Sequence, residues 1–133
     1  MANEYYAKIK DSLWKGQLSY DTDNVKAVLV DTGSYTANLI SHEFLSDIPA
    51  PARTAISSNL LGKTITLGTI DADDLVLPSV SGNESEAIVV YQDTGSEGTS
   101  RLIAYVDSAT GLPVTPNGTD ITIRWNANGI ASL

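Results

Sequence analysis

The chain has no cysteine, so it can form neither a disulfide nor a thiolate metal site. It has one histidine, and zinc catalysis or a Ser-His-Asp relay would have to be built on that residue alone. Basic residues are scarce as well: eight Lys and Arg stand against sixteen Asp and Glu, for a net charge of −8. Affinity for nucleic acid comes mostly from cations neutralising phosphates, and no basic cluster exists to do this, so a nucleic-acid-binding role is rejected. No apolar run approaches the roughly 18 residues of a membrane span. The first residues, Met1-Ala2-Asn3-Glu4-Tyr5-Tyr6, lack a basic segment followed by an apolar one. A cleaved secretion signal is therefore not expected, and the expected setting is a cytoplasm or a particle assembled in one.

What is present is enough for one folded domain. Hydrophobic residues make up 42% of 133, which suits a globular core and is too much for a disordered chain. The segment from Glu86 to Trp125 organises the rest. Ala87-Ile88-Val89-Val90-Tyr91 and Arg101-Leu102-Ile103-Ala104-Tyr105-Val106 are β-type runs joined through a polar loop containing glycine, which reads as an antiparallel pair. Both faces of these runs are apolar, so the two strands should be central and covered on both sides. Asp120-Ile121-Thr122-Ile123-Arg124-Trp125 alternates, which places Ile121, Ile123 and Trp125 on a buried face and Thr122 and Arg124 opposite. The expected core comprises Ile88, Val90, Leu102, Ala104, Ile121, Ile123 and Trp125.

Elsewhere, residues 3–15 are the best helix candidate. Tyr6, Ile9 and Leu13 form an apolar stripe, Asn3 is placed to cap, and Gly16 suits a left-handed C-terminal residue. Glu4–Lys8 and Asp11–Lys15 have favourable i,i+4 spacing, and Trp14 is expected to anchor the helix to the sheet. Strands are expected at Val25–Val30, Arg53–Ser57, Lys63–Leu67 and Asp74–Leu77. Turns are expected at Asp31–Ser34, Asn117-Gly118 and Asn128-Gly129, and a short helical turn capped by Ser41 should run through Phe44 and Leu45. Ile130 and Leu133 would close the core. Seven or eight short strands at this spacing predict a single domain over residues 1–133, mainly β within an α+β class. It would be an antiparallel sandwich or barrel-like body from residue 25 onward with one N-terminal helix, its second layer drawn from the 25–30 and 63–77 strands.

Catalytic motifs are weak. His42-Glu43 begins like a zinc-protease signature, but position 46 is Ser and no second histidine exists. Asp71, Asp73 and Asp74 could offer oxygens to calcium, yet the loop spacing such a site needs is missing. Around the central hairpin, Glu86, Asp93, Glu97 and Asp107 show no spacing that singles out an acid–base pair for glycoside hydrolysis. Asn83-Glu84-Ser85 and Asn117-Gly118-Thr119 fit the glycosylation pattern but read as turns. No catalytic residue, metal or cofactor is expected.

Several segments together resemble a family of small structural proteins from tailed bacteriophages. They are the N-terminal helix with Val25-Lys26-Ala27-Val28-Leu29-Val30-Asp31-Thr32-Gly33, the run Glu43-Phe44-Leu45-Ser46-Asp47-Ile48-Pro49, and Asp71-Ala72-Asp73-Asp74. At the end come Tyr91-Gln92-Asp93-Thr94-Gly95, Arg101-Leu102-Ile103-Ala104-Tyr105, Leu112-Pro113-Val114-Thr115-Pro116-Asn117-Gly118 and Asp120-Ile121-Thr122-Ile123-Arg124-Trp125. The resemblance covers nearly the whole chain and implies a non-enzymatic virion protein. Its expected role is to decorate or cement the head by binding the major capsid protein or another virion protein, as a homo-oligomer, with no nucleic acid or membrane partner. A neck, tail or head-fibre component is the alternative, including a carbohydrate- or host-surface-binding module using Tyr5, Tyr20, Tyr35 and Trp125 as exposed rings. The loops Asp31–Ile40, Ser46–Arg53 and Gln92–Ser100 are the expected contact features. Ile48, Pro49, Pro51, Asp93 and Glu97 are the candidate contact residues, because prolines stiffen a loop and lower the entropy cost of ordering it.

Overall fold

A computed structural model describes residues 3–132. Its centre is a five-stranded antiparallel sheet in the order β1-β8-β7-β2-β3. These strands span Glu4–Tyr5 (β1), Val25–Val30 (β2), Arg53–Ile56 (β3), Ala87–Gln92 (β7) and Leu102–Val106 (β8). β7 is buried along its whole length, as expected of a strand apolar on both faces. Two smaller antiparallel sheets complete the β structure. One has the order β10-β5-β4, from Ala131–Ser132, Thr69–Asp71 and Thr64–Thr66; the other pairs β6 (Leu75–Leu77) with β9 (Ile121–Ile123).

The pleat sends alternate side chains of the central sheet into two separate cores. Val25, Ala27 and Leu29 of β2 and Ile88 and Val90 of β7 pack with Ile70, Leu75, Leu77, Ile121 and Ile123 of the small sheets and with Trp125 just beyond β9. Val28, Val30, Val89 and Tyr91 face the other way, onto Tyr6, Tyr35, Leu45, Ile48 and Ala52. Val90 stands opposite Ala104 but Tyr91 stands opposite Leu102, so Ile103 is an extra residue in β8. This bulge lets Ile103 and Ala104 both join the first core while Leu102 enters the second.

All seven expected core residues are buried, and Thr122 and Arg124 are exposed as the alternation requires. Leu102 differs from the other six in serving the opposite core. The mainly β, α+β class with an N-terminal helix is what the structure has. The second layer differs from expectation. β2 is not part of it but lies inside the central sheet, hydrogen-bonded between β7 and β3. The small sheets cover one face, and an irregular chain from Tyr35 to Ala52 covers the other.

The helix is shorter than its apolar stripe suggests. α1 spans Ala7–Trp14, with Tyr6 at the N-cap position and no side-chain cap. Asn3 lies ahead of β1 instead, where its Oδ1 accepts from the N–H groups of Asp107 and Ser108. Tyr6 and Ile9 are buried and Gly16 takes the left-handed conformation at φ 71°, as the spacing predicts. Trp14 does not anchor anything: it is 92% exposed, because the stripe through Ile9 turns position 14 away from the sheet. Lys8 pairs with Glu43 at 3.7 Å rather than with Glu4. Strands β1, β5 and β10 have no counterpart in the sequence reading. The short turn near Phe44 forms as a 3-10 helix, Leu45–Asp47, with Phe44 and not Ser41 at its N-cap position. Ile130 is buried, whereas Leu133 lies outside the described residues.

Candidate contact surface

Two of the expected contact loops meet over one face of the central sheet, and Arg53 holds them together. Pro49 precedes and Pro51 lies within a second 3-10 turn, Ala50–Ala52, which delivers the chain directly into β3 at Arg53. From there the Arg53 side chain turns back over the loop. Its Nε donates to the Ile48 carbonyl at 2.9 Å, and one terminal nitrogen donates to the Leu45 carbonyl at 3.1 Å. The same nitrogen reaches Glu97 Oε1 at 3.0 Å, across the gap to the other loop. A planar guanidinium presents donors in a fixed fork, which lets one residue serve two carbonyls and a carboxylate together. Backbone bonds reinforce the seam: Leu45 N–H donates to Ser100 O at 2.8 Å and Ser46 N–H to Glu97 O at 3.0 Å.

Each loop is also organised internally. Asp47 Oδ2 accepts the N–H groups of Glu43 and Phe44 at 2.7 and 3.0 Å. Burial alone would push its carboxyl up, but these two donors, together with the nearby His42 and Lys8, hold it below the usual carboxylate range. In the second loop Asp93 Oδ1 accepts from Gly95 N–H at 3.0 Å, and Lys26 Nζ lies 3.0 Å from Oδ2. The Gly95 bond, then Lys26, lowers the Asp93 pKa. Hydroxyls complete the loop: Ser100 Oγ donates to Ser96 O at 2.8 Å, and Thr94 Oγ1 meets Thr99 Oγ1 at 2.6 Å. Thr94 through Thr99 and the residues Pro49, Ala50 and Pro51 are exposed. The result is a surface of irregular backbone with little freedom left in it.

The structure therefore joins Glu97 to the loop of Pro49 and Pro51 through Arg53. Asp93 is instead held by Asn24 and Lys26 at the end of the sheet where Val25 pairs with Gln92, away from Val30, which Arg53 faces. Ile48 is a correction: its side chain is fully buried in the second core, so only its carbonyl, held by Arg53, belongs to the loop surface. The third expected loop packs beside the same core through Tyr35. Its hydroxyl bonds that of Tyr6 at 2.9 Å and His42 Nδ1 at 2.9 Å, and its ring stacks on the imidazole with centroids 5.4 Å apart. Burial raises the Tyr35 pKa to about 12 and pushes Tyr6 higher still. His42 Nδ1 also receives Asn38 N–H at 3.2 Å, so the one histidine is a loop brace.

The other candidate residues are dispersed. Asp71 Oδ1 accepts the neighbouring Ala72 N–H, and Asp74 lies 3.7 Å from Arg124. Among the described residues no three His, Asp or Glu side chains gather at metal-binding distance. Tyr5, Tyr20, Tyr35 and Trp125 are all buried, so the aromatic platform expected for sugar stacking is not at the surface. Their polar ends explain this, since Tyr5 and Tyr20 hydroxyls donate to Gly68 and Asp71 carbonyls and Trp125 Nε1 to Asp73 O. The sequence predicts Tyr35 as an exposed ring and Arg53 as a strand start; no local motif marks the bonds to Tyr6 and Glu97 that make them loop braces. No described helix is long and apolar enough to cross a membrane. Compared with protein-family models and with curated proteins, the chain matches none.

Proposed function

We propose that this chain is a non-enzymatic structural protein of a bacteriophage virion, which decorates the head by binding and stabilising the major capsid protein shell. The observation that carries the reading is the loop surface described above. Arg53, Asp47 and Asp93 fix two exposed loops that meet over one face of a doubly covered sheet. A surface already ordered loses little entropy on docking, and many-fold repetition on a symmetric shell then multiplies a modest single-site affinity. The resemblance of the loop segments Glu43–Pro49 and Tyr91–Gly95 to tailed-phage structural proteins points the same way. A place at the neck, tail or head fibre is the alternative. Its sugar-binding form has lost its motivating residues, since the four rings it needs are buried.

Copy number separates the two placements. Shell decoration requires on the order of hundreds of copies per purified particle, whereas about a dozen or fewer would place the chain at the neck or tail. The contact is tested by replacing Pro49 and Pro51 with Gly. Looser prolines should lower occupancy on purified capsids while the melting temperature falls only slightly. Unchanged occupancy with a clear fall in melting temperature would show that the segment serves only its own domain.

A further inference from the structure

We infer that β4 is a self-pairing edge: two copies of this chain join antiparallel about a two-fold axis at Ile65, making one six-stranded sheet from the two three-stranded ones. This deepens the homo-oligomeric part of the proposed role, and it stands or falls on the isolated chain.

The backbone supplies the first argument. β4 is the outer strand of the order β10-β5-β4, and Thr64, Ile65 and Thr66 are all exposed. Ile130 N–H donates to Ile70 O at 2.7 Å, so the main-chain groups of Ile70 serve the β10 side. Ile65 stands directly opposite Ile70. In an antiparallel ladder such a pair turns its groups away from each other, which aims the Ile65 N–H and C=O outward from the sheet. Neither has a backbone partner among the described residues.

The side chains supply the second. Thr64-Ile65-Thr66 reads the same in both directions. A two-fold contact needs a self-complementary patch, and here antiparallel pairing sets Ile65 opposite Ile65 and each Thr64 opposite a Thr66. Cross-strand threonine and β-branched pairs are favourable ones. Ile65 also rims an apolar cavity of about 240 Å3 with Leu13, Leu18 and Ile70, and a partner strand laid along the edge would cover that rim. At the hairpin tip Leu67 is fully exposed and held at φ 50°. Leu67 and Gly68, at φ 50° and 81°, form the two-residue turn of the β4–β5 hairpin, which needs positive φ at both positions and leaves the leucine side chain uncovered at the tip.

Charge supplies the third. A chain of net charge −8 resists its own copy over most of its surface. β4 itself, however, carries no Asp or Glu, and the nearby acids are Asp71, opposite Thr64 on β5, and Asp21, which lines the same cavity as Ile65. The nearest cation, Lys63, is turned inward, with Nζ on the Asp23 carbonyl and 5.8 Å from the Tyr20 ring centroid. Other edges carry guards against pairing: β3 begins at Arg53 beside a register shift, and β6 runs into Pro78. β4 has none.

The test is sedimentation equilibrium of the full chain over a dilution series. A concentration-dependent mass rising toward twice 14.1 kDa is expected. Ile65→Pro removes the outward N–H without touching the bonds to β5, and Ile65→Lys sets two cations face to face. Both should stay monomeric with an unchanged melting curve; if the proline variant does not fold, the lysine variant decides. Because the chain has no cysteine, Thr64→Cys and Thr66→Cys report register. A mixture of the two should cross-link on mild oxidation far better than either alone. A mass of 14.1 kDa at every concentration, a dimer that survives Ile65→Lys, or equal cross-linking by Thr64→Cys alone would each overturn the interface. Capsid occupancy of the Ile65 variants is a separate readout, so a failed dimer leaves the capsid reading standing.

Discussion

The two faces of the central sheet are covered by different means. On one face hydrocarbon meets hydrocarbon: Ile88, Val90 and Leu29 pack on Ile70, Leu77, Ile121 and Ile123, which sit on two small sheets. On the other, irregular chain supplies the cover, and its polar groups must be satisfied one by one. Arg53 takes two carbonyls, Asp47 takes two N–H groups, and Tyr6, Tyr35 and His42 join their polar atoms in a row. Regular secondary structure satisfies its own backbone and leaves side chains free to be apolar. A loop layer spends side chains on that task, and the side chains so used are the ones that define the candidate contact surface.

The sharpest way to break this comparison is in the apolar face. Ile123 has no exposed surface, and Ile123→Asp would bury an unpaired carboxylate at a cost of several kcal/mol, comparable with the stability of the whole domain. The variant should be insoluble or unfolded by circular dichroism at neutral pH. A soluble, normally melting product would show that the register of β9 is wrong.

Next in size is the polar face. Arg53→Met keeps the stem but strips the donors from Ile48, Leu45 and Glu97, and should cost about 2 kcal/mol in chemical denaturation. Hydrogen exchange should speed up in residues 44–52 and 93–100 while β7 stays protected. Uniform acceleration across the sheet would mean that the loop layer and the core open as one unit.

Asp93 gives a smaller, pH-dependent effect. Its folded pKa is depressed, so its contribution is present above the unfolded value of about 4 and is lost as pH falls through the folded one. Asp93→Asn should lower stability at pH 7 by about 0.5–1 kcal/mol and flatten the acid limb of the stability profile. An acid limb identical to that of the parent chain would assign the acid sensitivity to another carboxylate, with Asp47 the next to test.

The smallest effect is expected at Trp14. Being 92% exposed, Trp14→Ala should leave the melting temperature of the free chain nearly unchanged, within about 0.5 kcal/mol. A large loss would mean that the indole is covered in solution, and self-association would be the first place to look.

The sequence by itself determined the parts of this protein that depend on local pattern. Period-two alternation set which face of Ile121–Trp125 is buried, and runs apolar on both sides marked β7 and β8 as central strands. Asn117-Gly118 and Asn128-Gly129 announced turns at which Gly118 and Gly129 do adopt positive φ. Tertiary structure alone decided the rest. Strands of two or three residues, such as β1, β5 and β10, are too short to carry a period, and they exist because a neighbouring edge offers hydrogen bonds. The place of β2 inside the central sheet was equally hidden, since an apolar strand does not encode its neighbours. Asp47 bonds groups only three and four residues away, but Arg53 and Tyr35 gained their long-range bonds only when Glu97 and Tyr6 were brought within 3 Å or so of them. Those bonds arise from where the chain ends up, and nothing in the residues beside them in sequence could have indicated it.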